Sequence, residues 1–145
     1  QGDFPIKGDI IATGFTVLPW REKVVDYSVP TFPSQIWLVA RADSAFKPIK
    51  GNADLDRDIE ETKSLIANNS LLIMEGTCLD PANYGLKGKG IDLRAYTKNT
   101  NLNEMVPALL NGDAELTLLD VPDAMLDLQC FELCLIQPDL CLFAL

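Results

Sequence analysis

The stretch ALLNGDAELTLLDVPDA, residues 108–124, decides the fold class of this chain. Residues 103–110 read as a helix that stops at Asn111-Gly112, because a glycine accepts the left-handed conformation that closes a helix. Pro107 inside that helix is expected to cost one backbone hydrogen bond. Residues 115–119 (ELTLL) then give a short apolar run of the length of a buried strand. Asp120 follows at once, and Pro122 stands where a new helix opens, expected to run to about residue 135. A helix, a glycine stop, a buried strand and another helix in immediate succession point to an α/β layer structure.

The same alternation extends outward. Residues 71–74 (LLIM), 35–41 (QIWLVAR) and 9–13 (DIIAT, closed by Gly14) read as further buried strands, and residues 91–96 as another. Residues 54–67 carry Leu55, Ile59, Leu65 and Ile66 roughly along one stripe, with acidic residues at the start, which suits the dipole of an amphipathic helix. Pro19 and the Arg-Glu-Lys cluster predict a turn opening a brief helix. Residues 27–33 (YSVPTFP) hold two prolines and read as an extended connector. Residues 45–52 read as a loop and residues 81–90 as irregular, with glycines at 85, 88 and 90. The order predicts an α/β fold built on an open, mostly parallel sheet flanked by helices.

Composition narrows the function. The chain has 145 residues, 48% hydrophobic and 23% charged, as expected of a globular chain. Its formal net charge is −9, which repels phosphate backbones and anionic membrane surfaces, so nucleic acid is not an expected partner. There is no histidine, which excludes Ser-His-Asp and Cys-His catalysis and every His-liganded metal site. The four cysteines, Cys78, Cys130, Cys134 and Cys141, form no CxxC pair and read as small buried apolar side chains. Cys130 and Cys134 share one face if their stretch is helical. No cofactor and no metal is called for. No apolar run approaches the ~20 residues that span a bilayer. Residues 1–15 lack a basic start and a long apolar core, so no signal peptide is read there; if the parent is exported, its leader is expected to have been removed or to lie upstream.

Polar groups gather at the strand ends, which is where ligands sit in open α/β sheets. Gly14 and Thr16 follow the first predicted strand, Gly76 and Thr77 follow residues 71–74, and Asp120 follows residues 115–119. Arg21 lies five residues beyond Thr16 and can turn back toward it. One cation, one carboxylate, two hydroxyls and glycine-rich backbone suit a small zwitterion, with arginine forking onto a carboxylate and aspartate accepting from an ammonium. Asp120 alone also reads as the N-cap of the helix opened by Pro122. Trp20 and Trp37 read as packing residues, and residues 54–61 as a solvated acidic helix face.

These residues carry a family resemblance. DIIATGFTVLPWREKVVDYS (residues 9–28) resembles the D-x-x-x-x-G-x-T-x-T-x-x-R-x-x-x-x-x-F-S stretch of type II periplasmic solute-binding proteins, the polar amino acid-binding family (bacterial extracellular solute-binding protein family 3). The hinge strand at residues 35–41, LLIMEGT at 71–77 and ALLNGDAELTLLD at 108–120 follow in the family's order. The resemblance covers roughly residues 8–129.

It implies a two-lobed flytrap, with residues 1–33 as the end of lobe one and the hinge, residues 34–129 as lobe two, and residues 130–145 as an apolar tail. It further implies that Gly14 and Thr16 offer backbone and hydroxyl contacts and that Arg21 grips a ligand carboxylate. Thr77 and Cys78 would add contacts from the other lobe, and Asp120 would take the amino group. The function implied is extracytoplasmic or periplasmic capture of a small amino-acid-like ligand for ABC-type import, with a membrane permease as partner. The alternative is a ligand-sensing domain of a membrane receptor such as a histidine kinase. A cyclohexadienyl dehydratase-like enzyme is a third reading, with Asp123 and Glu75 as the local proton donors.

The sequence departs from the family at informative places. Leu18 and Trp20 replace the polar and acidic residues usual between that threonine and arginine, and Cys78 stands where Ser, Thr or Gly is common. The first half of lobe one, which normally supplies the aromatic side chains that stack on the ligand, does not precede Gln1. Beyond Gln129 the return strand to lobe one is replaced by CFELCLIQPDLCLFAL, 12 of whose 16 residues are apolar. Against the resemblance, two expectations stand: the chain is a fragment of a longer protein, or lobe one is completed by another chain, with self-association through the incomplete lobe and apolar tail.

Overall fold

The structure is a computed structural model that describes residues 10–12, 14–41, 43–46, 54–87, 90–99, 101–130 and 133–135. Strands β1 (Ile36–Arg41), β2 (Ser70–Ile73), β3 (Asp92–Ala95), β4 (Leu116–Asp120) and β5 (Leu133–Leu135) form one sheet in the order β3-β2-β4-β1-β5. β2 pairs in parallel with both β3 and β4, whereas β1 runs antiparallel to β4 and to β5. Four of the five strands therefore point the same way and only β1 is reversed. Helices α1 (Leu55–Ile66), α2 (Met105–Leu110) and α3 (Val121–Cys130) connect them.

Alternation along the strands divides the core into two layers, as it must when both faces of a sheet are covered. Ile36, Leu38 and Ala40 of β1, Leu71 and Ile73 of β2, and Leu116 and Leu118 of β4 point to one face, against Ile66 of α1 and Leu79, Tyr84 and Leu86. Trp37 and Val39, Leu72, and Leu119 point to the other, against Met105, Val106 and Leu109 of α2 and Ala124 of α3. The central strands are buried at nearly every position, which is why they read as continuous apolar runs.

Local signals fix the helix ends. Asp54 caps α1, its carboxylate accepting from the Arg57 N–H at 3.2 Å. α2 ends in a two-bond closure, with the Gly112 N–H donating to the Leu109 carbonyl and the Asp113 N–H to the Ala108 carbonyl, both at 3.0 Å. Gly112 has a φ of 84°, as that closure demands. Pro107 is the third residue of α2, where a backbone N–H has no partner inside the helix, so the expected loss of a hydrogen bond does not arise.

Three expectations need correction. Residues 9–13 were expected as a buried strand, but Ile10 and Ile11 are 87% and 63% exposed and belong to no strand. No described strand pairs with that segment, and an apolar run without a partner cannot bury its backbone groups. Asp9 and Thr13 lie outside the described residues. The predicted short helix after Pro19 is only a turn, in which the Arg21 and Glu22 N–H groups donate to the Leu18 carbonyl. The helix expected to reach residue 135 stops at Cys130, and residues 133–135 pair with β1 instead, with Cys134 opposite Ala40. Cys130 and Cys134 thus lie on different elements. Residues 47–53, most of the expected loop at 45–52, and residues 136–145 of the tail lie outside the described residues, as does Gly88.

Candidate functional site

The turn after β2 builds one wall of the site. Gly76, at a φ of 72°, turns the chain, and its N–H donates to Asp80 Oδ2 at 2.9 Å. The other oxygen of Asp80 accepts from the Ala82 N–H at 2.9 Å and starts a single turn of 3-10 helix at Pro81–Tyr84. The Thr77 hydroxyl donates to the Met74 carbonyl at 2.7 Å and accepts from the Leu79 N–H at 3.1 Å. Thr77 thereby fixes the backbone of the turn, and its side chain is already committed. The next residue, Cys78, is buried, with its carbonyl accepting from the Tyr84 hydroxyl.

The end of β4 supplies the second wall. Ile36 stands opposite Asp120 in the β1–β4 register, so the carboxylate emerges on the Cys78 face of the sheet. Asp120 Oδ2 accepts from the Cys78 thiol at 3.5 Å and Oδ1 accepts from the Ser34 hydroxyl at 3.2 Å. Its carboxylate is engaged by these side chains across the fold. Burial raises its pKa above the usual carboxylate value, opposed by the Cys78 and Ser34 hydrogen bonds, while nearby Asp123 raises it further. Ser34 escaped the sequence reading because it lies between the connector and the following strand with no motif around it.

Arg21 forms the third wall. It is only 8% exposed, held by the turn that starts at Leu18. Its Nη1 donates to the Thr16 carbonyl at 3.1 Å, a carbonyl that also accepts from the Tyr27 hydroxyl at 3.0 Å. Its guanidinium carbon lies over the Phe15 ring at 4.2 Å and over the Trp20 ring at 4.9 Å. Phe15 in turn stacks on Tyr27, with ring centroids 6.1 Å apart. Nε of Arg21 is buried and meets no acceptor among the described residues.

Cys78 joins the three walls. Burial, the strongest influence, and the Asp120 charge push its thiol up to about 11, while the Thr16 hydroxyl and the Arg21 charge pull the other way. The structure therefore brings Thr16, Arg21, Cys78 and Asp120 of the predicted set into one neighbourhood. Arg21 and Asp120 form no direct ion pair. Gly14 is exposed, with open space where a Cβ would stand, and no contact ties it to the cluster. Glu75 is exposed and pairs with Lys87 at 3.5 Å. No group of three metal-ligating side chains gathers among the described residues, and no described helix is long and apolar enough to cross a membrane.

A separate cavity of about 220 Å³ lies beside β3, lined by residues that include Leu72, Arg94, Tyr96, Lys98 and Asp113. Its cations are already engaged, Arg94 with Asp92 at 3.0 Å and Lys98 with Asp113 at 3.8 Å. The unmet donor of Arg21 makes the Arg21–Cys78–Asp120 cluster the stronger candidate.

No family model and no curated protein matches the sequence. Solved structures do. Holo ArgBP from T. maritima superposes with a TM-score of 0.65 at 22% identity, covering 86% of this chain and 48% of that one. An amino acid ABC transporter substrate-binding protein from Streptococcus pneumoniae bound to L-arginine gives 0.59 at 18% identity, covering 84% and 45%. An ancestral amino acid-binding protein, a precursor of cyclohexadienyl dehydratase, gives 0.60 at 20%, covering 85% and 48%. The chain spans about half the length of these structures. It carries the α/β fold of amino-acid ABC transporter substrate-binding proteins, the fold that the sequence resemblance implied.

Proposed function

We propose that this chain captures a small amino-acid-like molecule, extracytoplasmically, as the solute-binding component of an ABC-type importer whose permease is its membrane partner. The observation that carries the reading is the buried Arg21 guanidinium with an unmet Nε donor, whose charge acts on Cys78, the thiol that also donates to the Asp120 carboxylate. A buried donor without a partner costs free energy that an incoming acceptor recovers. A zwitterion supplies both complements at once, its carboxylate for Arg21 and its ammonium for Asp120. In this reading Thr16 and Cys78 add contacts to the ligand and Thr77 contributes backbone. Residues 1–33 act as the end of lobe one and hinge, and residues 34–129 as lobe two.

The test is titration calorimetry with the twenty L-amino acids. Charge-assisted hydrogen bonds contribute about 1.5–3 kcal/mol each, so Arg21→Ala and Asp120→Ala should each weaken the tightest binder at least about tenfold. Undiminished affinity in both variants would refute the assigned site.

A further inference from the structure

Arg21 is held in an uncommon way. A buried cation is ordinarily paired with a carboxylate, and Arg21 has none within ion-pair distance among the described residues. Two aromatic rings stand in that place, Phe15 at 4.2 Å and Trp20 at 4.9 Å from the guanidinium carbon. Both rings are themselves partly exposed, Trp20 by 44%, so neither is spent filling the core. Tyr27 backs Phe15 by stacking and also binds the Thr16 carbonyl that receives Nη1. The chain between residues 15 and 27 is thus a small frame around one guanidinium.

The chemistry of that frame differs from that of a salt bridge. An aromatic face attracts a cation through its quadrupole and does not neutralise its charge. A carboxylate neighbour would neutralise Arg21 and occupy its donors. With rings as partners, the cation is fixed in place while its charge is not neutralised and its buried Nε–H meets no acceptor among the described residues.

We propose that Phe15 and Trp20 are positioning residues that hold Arg21 ready for a ligand carboxylate and so set the preference of the site for a carboxylate over the uncharged carboxamide. The inference rests on the amino-acid-binding reading above and adds a specificity determinant to it.

The experiment compares the tightest-binding L-amino acid with its own carboxamide, by calorimetry on the full chain. Variants are Trp20→Ala, Trp20→Phe and Arg21→Ala, each checked for an unchanged melting transition. Trp20→Ala should weaken the amino acid about tenfold, within the range of a desolvated cation–π contact, and change the carboxamide by less than about twofold. Trp20→Phe, which keeps a ring face, should restore most of the loss. Equal weakening of acid and amide, or no weakening of the acid, overturns the proposal while leaving the site reading intact if Arg21→Ala still abolishes acid binding. Unchanged binding in Arg21→Ala overturns the proposal; unchanged binding in both Arg21→Ala and Asp120→Ala, or no binding of any of the twenty amino acids by the unaltered chain, overturns the site reading as well.

Discussion

The Cys78 thiol donates to Oδ2 of Asp120 at 3.5 Å, linking the turn after β2 to the last residue of β4 across 42 positions of sequence. This contact lies beside the Thr16 hydroxyl and within reach of the Arg21 charge, so the state of one thiol reports on the whole cluster.

Cys78 should react slowly. Its thiol is raised to about 11 by burial first and by Asp120 second. The thiolate is the nucleophile, so native Cys78 should alkylate with iodoacetamide at pH 8 roughly a hundredfold more slowly than in urea, where it titrates as an ordinary thiol. Peptide-resolved mass spectrometry separates it from the other three cysteines. Equal native and unfolded rates would contradict the buried, acid-facing environment.

Asp120 should trade stability for charge. Its pKa is raised in the folded state, so the folded chain holds this proton more tightly than the unfolded chain. Stability from this group is therefore present below the unfolded carboxylate pKa and is lost as pH rises through the folded one. Asp120→Asn, which keeps an acceptor for Ser34, should raise the melting temperature at pH 7, and the gain should shrink below about pH 4. Melting curves across that range decide it; a variant less stable at pH 7 would reverse the sign.

Gly112 should resist substitution for conformational reasons. At a φ of 84° it closes α2, and an added Cβ would meet only Arg41 Nη1 at an ordinary 3.6 Å. Strain rather than crowding opposes a side chain there, so Gly112→Ala should cost about 1 kcal/mol and Gly112→Asn less. Urea denaturation measures both, and equal costs would point to crowding.

Leu118 is fully buried in the middle of β4, between strands on both sides. Leu118→Ala should destabilise the chain by about 2–5 kcal/mol, the range for a leucine cavity in a packed core. A loss below 1 kcal/mol in chemical denaturation would mean that this strand is not central to the packing.

Some of this was legible in the sequence because it is local. The Gly112 stop, the Asp54 cap and the apolar runs of β1, β2 and β4 are set by residues within one turn or one strand. The run at residues 9–13 misled because its apolar residues resemble a strand, while strand formation depends on a pairing partner elsewhere in the chain. Cys134 misled in the opposite direction, since an apolar stretch following a helix continues it unless a sheet edge captures it, and β1 offers such an edge.

The candidate site divides along the same line. Sequence order alone singled out Thr16, Arg21, Thr77 and Asp120 as chemistry-bearing groups near expected strand ends, and the family resemblance added Cys78. Only the tertiary structure joined Ser34 to Asp120, withdrew the Thr77 side chain into its own turn, and gave Arg21 two aromatic rings in place of a carboxylate. Backbone periodicity and end signals act over a few residues and are written in the chain. Which side chains meet across a sheet depends on strand order and register, and those are fixed only when distant segments compete for the same neighbours.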